Sequence, residues 1–347
     1  MFQDVLKKLW NNEDLTAEET YSIIEDICRD TLSEVQTDGF QTSLLMKGPT
    51  ITEITAIAQA MQDNCKAIAP RVDEELLDTC GTGEGLSTFN ISTATALVAA
   101  AAGIRVAQHG NRSNSGYSGS ADVMEALGVE INLSARGVEK LIEEVGIAFI
   151  YEPLFNPMVH KILLPVQALS INTIYYTIIG PLINPARATQ HILGVYKPEL
   201  LDVVTEIALS LGYTRGMFVH GLDGLDAISL IGKTRINEIK DGSITSYEIA
   251  PEDFGLNRCS PADITTNTPD ESAEVILDVF SGRNRGPYRQ AILINAAGAL
   301  LIGSKAASFN EGIQLAGELI DSGAVQRKLE HLIVVSRSCR ALPCAWG

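Results

Sequence analysis

An α/β fold in two parts is what this sequence predicts: a small helical domain over residues 1–70 and a larger α/β domain over residues 71–335, its central sheet flanked by helices. Apolar residues in the first seventy positions recur at helical spacing behind threonine caps. From Leu76 onward, short apolar runs alternate with helical stretches, and glycine-rich turns stand where a run passes into a helix.

Taken in order, Thr16 precedes Glu18, Glu19 and a stripe at Tyr21, Ile24 and Ile27, predicting a helix over residues 16–29. Thr50 or Thr52 caps a second helix to Gln62, with Ile54, Ile57, Ala58 and Met61 on one face. Leu76 and Leu77 form a strand that meets the glycine turn at Gly81, Gly83 and Gly85, and a small-residue helix starts at Ile91. Residues 104–107, 149–151, 193–196 and 217–220 are further short strands; residues 120–127 and 198–211 are helices. Asp241-Gly242 between two β-prone stretches marks a hairpin over residues 234–249. Residues 271–280 and 290–320 return to helix, and a helical segment near residues 157–185 is expected to join the first domain. The last stretch, residues 336–347, breaks the periodicity and is set aside as a mobile tail or a non-native remnant.

Composition excludes several classes. Hydrophobic residues make up 46% and charged residues 20%, as in globular chains. With 43 acidic and 26 basic residues the formal charge is -17. Nucleic acid and anionic membranes demand a basic surface, so neither is an expected partner. A small anion remains compatible, because a pocket can be locally positive. The most apolar window, residues 94–103, is too short to span a bilayer, and the N-terminus lacks the apolar run of a secretory signal. Cys28, Cys65, Cys80, Cys259, Cys339 and Cys344 are scattered without a CxxC pair, which suggests neither zinc nor a disulfide framework and fits a reducing cytoplasm.

Two turns carry the chemistry. In the first, Gly81, Gly83 and Gly85 let the backbone approach a ligand, and Asn90, Ser92 and Thr93 stand at a helix start. Hydroxyls, an amide and free N–H groups thus converge as a phosphate site requires, although a plain strand-to-helix turn has the same look. In the second, residues 109–122 pack Arg112, asparagines, serines and glycines into one stretch. It offers many donors to an anion; a solvated loop is the alternative. Two such turns in one α/β unit suggest a ligand with two anionic ends. Asp122 could instead cap the following helix.

These motifs resemble the anthranilate phosphoribosyltransferase family. Its TFNIST matches residues 88–93, its HGNRS-x-S-x-x-SGSAD matches residues 109–122, and its GPLxNPA matches residues 180–186. A KGET-type helix entry resembles residues 47–50, GVYxPEL matches residues 194–200, and DFG matches residues 253–255. The resemblance runs from near residue 1 to about residue 335. It implies transfer of phosphoribose from phosphoribosyl pyrophosphate (PRPP) to the amine of anthranilate in tryptophan biosynthesis, with magnesium, in a cytoplasmic homodimer joined through the helical domain.

Carried onto this chain, the resemblance assigns Gly81, Thr82, Gly83, Asn90, Ser92, Thr93, Gln108, Asn111, Arg112, Ser115, Ser118 and Gly119 to the donor. It assigns His109, Asn111, Asn156, Asn172 and Tyr176 to a small aromatic acceptor, and Asp226, Glu84 and Ser92 to magnesium. No residue is expected to act as acid or base. Six positions depart from the family pattern. The glycine turn is one residue shorter and carries Glu84 for Asp. Gln108 and Tyr117 replace lysines, and Ala227 replaces the Glu of an acidic pair, with Asp223 a conceivable substitute. Asn172 replaces an Arg that faces the acceptor carboxylate, and Asn156 replaces a His. The two asparagines favour an uncharged acceptor. Gln108 and Ala227 favour an alternative: a paralogue that holds a phosphorylated ligand with changed or no catalysis.

Overall fold

The computed structural model describes residues 2–83, 85–113, 119–156 and 178–340. Helices Phe2–Trp10, Ala17–Cys28, Glu34–Lys47 and Ile51–Asp63 open the chain. Thr16 with Glu19 and Thr50 with Glu53 form reciprocal capping boxes, so the polar residues that mark these starts in the sequence also satisfy orphan N–H groups. Glu53 reaches further. Its carboxylate is fully buried and accepts from the N–H groups of Leu15 (2.9 Å) and Thr50 (2.7 Å) and from Lys47 Nζ (2.9 Å). Burial opposes the Lys47 charge, but Asp14 and Glu53 outweigh it and hold the ammonium pKa above its ordinary value. Glu53→Gln will therefore lower stability by about 2 kcal/mol, read as a lower urea midpoint, because an amide cannot supply the charge-assisted bond.

A 7-stranded sheet follows, in the order β3-β2-β1-β4-β5-β6-β7. The strands are β1 (Leu77–Gly81), β2 (Val106–Gly110), β3 (Ile147–Tyr151), β4 (Gln190–Gly194), β5 (Arg215–Gly221), β6 (Thr234–Lys240) and β7 (Ser243–Ile249). From β3 across to β5 the pairings are parallel, and β6 and β7 are antiparallel. Asp241 and Gly242 join β6 to β7 at φ of 51° and 72°, the positive values that a two-residue hairpin turn needs.

Strand alternation divides the core. Met217 and Val219 of β5 pack on one face with helices Ile91–Ala101 and Pro287–Ile302, whereas Phe218 joins the N-terminal helices and helix Pro198–Ser210 on the other. Ile178, Ile179, Leu182 and Ile183 belong to this second core; residues 157–177 of the segment expected to join the helical domain lie outside the described residues.

Two sequence expectations need correction. The stretch 290–320 is two helices, Pro287–Ile302 and Phe309–Asp321, because Ser304 turns the chain at φ 56° and Ser308 caps the second. The tail also starts later than Ser336. Helix Ala324–Ser338 runs through it, and the buried Ser336 Oγ accepts the Glu130 N–H at 3.1 Å. Among the described residues, no helix is long and apolar enough to cross a membrane.

Candidate active site

The connections β1–β2–β3 wind away from β1 on one side, and β4 and β5 lie on the other. The carboxyl ends of β1 and β4 therefore open onto a crevice at the topological switch point, where open α/β sheets bind ligands. Gly81 and Gly194 are paired at that end. The segment after β5 lies across them, so close that a Cβ on Gly194 would stand 1.6 Å from the Asp226 carbonyl oxygen. On Gly81 it would stand 2.6 Å from Asp226 Oδ2. Only glycine permits that approach.

Asp226 in turn shapes the glycine turn. Its Oδ2 accepts the Gly83 N–H at 2.8 Å. Thr82 donates its N–H to Gly194 O at 2.9 Å and accepts the Tyr196 N–H on Oγ1 at 3.1 Å. Burial pushes the Asp226 carboxyl above the usual range, against the pull of the Gly83 N–H. Asn90 caps helix Ile91–Ala101: its Oδ1 accepts the Thr93 N–H (3.3 Å), Thr93 Oγ1 (2.5 Å) and Ser92 Oγ (3.4 Å). The N-terminus of an 11-residue helix thus stands just beyond the glycine turn. Thr93 itself is buried in the cap. Gln108, also buried, donates to Thr93 Oγ1 at 3.2 Å, while its Oε1 has no partner among the described residues.

Beneath the second turn is a buried ion pair. Asp78 on β1 meets His109 Nδ1 on β2, and His109 Nε2 donates to Gly180 O at 3.0 Å. With acceptors at both ring nitrogens, the imidazole carries two protons. Burial works against this charge, but the Asp78 carboxylate prevails and raises the His109 pKa to about 9. Asn184 donates to Asp78 Oδ2 and to Ala107 O, each at 2.7 Å. His109 was expected to line the acceptor pocket; its ring is committed to holding β1, β2 and the 180–184 segment together. His191 is its opposite. Burial lowers its pKa to about 4, and its Nε2 lies 3.2 Å from Cys80 Sγ, whose thiol pKa burial raises. This is a neutral pair, without thiolate character.

In the second turn, Asn111 Nδ2 donates to Glu152 Oε2, and Asn111 Oδ1 accepts the Arg112 N–H, both at 2.8 Å. Arg112 is not an open cation. It bonds Asp122 (2.7 Å) and Glu125 (2.6 Å) and lies 5.5 Å above the Tyr151 ring. Asp122 therefore does not cap its helix; Gly119 holds the cap position, and Asp122 accepts from Arg112 and the Ser113 N–H. A Cβ on Gly119 would come within 2.3 Å of Ser113 N, so the backbones of these two residues lie against each other. Asn156 is buried at the end of the short helix Glu152–Phe155, and its Nδ2 lacks a partner among the described residues.

The Asp223 carboxylate accepts from Ser229 Oγ (2.6 Å) and the Leu225 N–H (3.2 Å), which braces the segment after β5. Among the described residues, no three His, Cys, Asp or Glu side chains stand together as a metal cluster. Glu84, Ser115, Tyr117, Ser118, Asn172 and Tyr176 lie outside the described residues. Sequence reasoning missed Asp78 and Glu152 as site-shaping acids. Asn184, inside the GPLxNPA match, pointed toward the first; nothing local signalled the second.

Residues 73–326 match the α/β domain of a glycosyl transferase family, and residues 3–65 match that family's helical bundle domain. An anthranilate phosphoribosyltransferase of Acetivibrio thermocellus is 42% identical over 339 residues, covering 97% of both chains. The chain belongs to the anthranilate phosphoribosyltransferase family. A family member from Methanobrevibacter smithii is also 42% identical, over 97% of this chain and all of its own. The crystal structure of the Thermus thermophilus enzyme superposes with a TM-score of 0.88 at 35% identity, covering 96% of this chain and 99% of that one. The Saccharomyces cerevisiae enzyme in complex with PRPP and Mg has a TM-score of 0.86 at 27% identity, covering 97% and 98%. This family member thus has the family fold, a helical domain joined to an α/β domain with a mixed sheet.

Proposed function

We propose that this chain transfers the phosphoribosyl group of PRPP to the amine of anthranilate or a related aromatic amine. The observation that carries the reading is the β1–β4 crevice, where a glycine turn laced to Gly194 and Asp226 leads into the Asn90-capped helix. In this reaction the amine nitrogen bonds to the anomeric carbon as the bond to pyrophosphate breaks, and the amine gives up a proton to solvent. Positive charge grows on the ribose and negative charge on the leaving group, so positioning and charge stabilisation do most of the work. The N-terminus of the Asn90-capped helix, beside the glycine turn, is the chain's donor for the phosphates.

Magnesium would neutralise the departing pyrophosphate. It is commonly held by one or two carboxylates together with substrate phosphates rather than by an all-protein cage. Asp226 fits as one such ligand, with Glu84 and Ser92 as the other candidates. The relative solved with PRPP and Mg supports the use of magnesium. The proposal includes a cytoplasmic homodimer through the helical domain. The exposed apolar side chains Trp10, Val35 and Met46, all on helices of that domain, support such a contact.

Calorimetric titration with PRPP, with and without magnesium, tests the reading. PRPP will bind with magnesium and lose at least about tenfold in affinity with EDTA, as expected when the metal supplies charge that the protein lacks. Turnover will then appear as loss of anthranilate with PRPP present. Binding indifferent to magnesium, without turnover, would instead indicate a phosphate-holding paralogue. No binding in either buffer would overturn the transferase reading.

A further inference from the structure

The side chain that fixes Asn111 comes from the neighbouring strand. Gly110 and Tyr151 are the last paired residues of β2 and β3, which puts Asn111 and Glu152 side by side just past the carboxyl edge of the sheet. Glu152 is buried, and its carboxylate accepts from Asn111 Nδ2 at 2.8 Å. In this contact the carboxylate is the acceptor, so the amide nitrogen faces it and the amide oxygen faces away. That oxygen accepts the Arg112 N–H at 2.8 Å. Both ends of the amide are thereby oriented, leaving one N–H and one lone pair for a ligand.

The backbone adds a second constraint. Glu152 O accepts the Asn156 N–H at 2.9 Å, so the short helix that presents Glu152 also places Asn156, whose buried Nδ2 has no partner among the described residues. Asn111 and Asn156 are both acceptor candidates, and one residue anchors them.

We infer that Glu152 is a positioning residue for the acceptor side of the site: it locks the Asn111 amide so that its oxygen can receive an N–H of an aromatic amine. Asn111 requires the lock because it sits in a turn, where an amide without a fixed partner can rotate or flip. The inference rests on the transferase reading above. It deepens that reading by making recognition of the amine, not of PRPP, depend on Glu152.

Steady-state kinetics of the full chain test it. Glu152→Ala will raise KM for the amine about tenfold while KM for PRPP stays within about twofold, the size expected from losing one charge-assisted bond. Glu152→Gln will stay near wild type, because its amide oxygen still accepts from Asn111. Should Glu152→Ala not fold, Glu152→Asp replaces it: a side chain one methylene shorter withdraws the carboxylate and gives the same split. Acceptor binding to PRPP-loaded protein, by calorimetry, makes the same comparison where turnover is slow. An unchanged amine KM in the alanine variant overturns the inference. So does an equal rise in both constants with a lowered melting temperature, or a glutamine variant as impaired as the alanine one. A wild-type chain that binds neither PRPP nor an amine overturns the transferase reading, and this inference with it.

Discussion

Gly194→Ala will cost about 3 kcal/mol of stability and at least about a hundredfold in kcat, the expected result of overpacking a site whose geometry governs rate. The added Cβ would meet the Asp226 carbonyl oxygen at 1.6 Å and its carbon at 2.2 Å. Both are backbone atoms, so no side-chain rotation relieves the contact. The segment after β5 must lift off the sheet, taking with it the Asp226 carboxylate that holds Gly83 and disturbing the Thr82–Gly194 bond. Gly39 is the control. A Cβ there meets nothing within 4 Å, and it lies inside helix Glu34–Lys47, so Gly39→Ala will be neutral or stabilise by about 0.5–1 kcal/mol. Urea midpoints and kcat for the two variants separate the cases; equal behaviour would show that the crevice tolerates side chains at its floor.

Asp78→Asn will destabilise the fold by about 3–5 kcal/mol, the usual consequence of removing one partner from a buried ion pair. Asp78 accepts from the Thr79 N–H (2.8 Å), the His109 N–H (3.1 Å) and Asn184 Nδ2 (2.7 Å) besides the His109 ring. An amide keeps some of these bonds but leaves the imidazolium without its counter-charge. The same pair sets a pH signature. The His109 pKa is raised from 6.5 to about 9, so its contribution is complete below 6.5 and is lost as pH rises through about 9. The Asp78 pKa is lowered despite complete burial, chiefly by the His109 charge, so its contribution holds above 3.8 and fades as pH falls below that value. Urea midpoints of the wild type will thus decline from about pH 6.5 to about pH 9, and the decline will be absent in Asp78→Asn. A wild type with a flat midpoint over that interval would contradict a charged His109.

Much of the fold was legible because its signals are local. Thr16 with Glu19 and Thr50 with Glu53 are capping boxes within four residues, and Asp241-Gly242 is a turn that its own backbone preferences dictate. Helix Pro287–Ile302 and its neighbour look like one stretch in the sequence because helix-forming residues flank the short break on both sides; the positive φ at Ser304 makes the break. The boundary at Ser336 was misplaced for a related reason. Its hydroxyl looks like a tail residue until Glu130, far away in sequence, supplies the N–H that it accepts.

For the site, the sequence by itself determined the two donor-rich turns, the glycines at the crevice and the helix that Asn90 caps, since those are properties of consecutive residues. What each side chain does there was decided by the tertiary structure. Arg112 reads as a phosphate-binding cation until Asp122 and Glu125 close on it, and His109 reads as a pocket residue until Asp78 and Gly180 take both its nitrogens. Asp226 reads as half of a metal pair, yet it also braces Gly83 across 143 residues. Partners such as Asp78 and His109, or Asp226 and Gly83, lie too far apart in the chain to leave a periodicity or spacing to read. The sheet order, with β1 between β2 and β4, brings Asp78 against His109, and such contacts settle which charges are spent inside the protein.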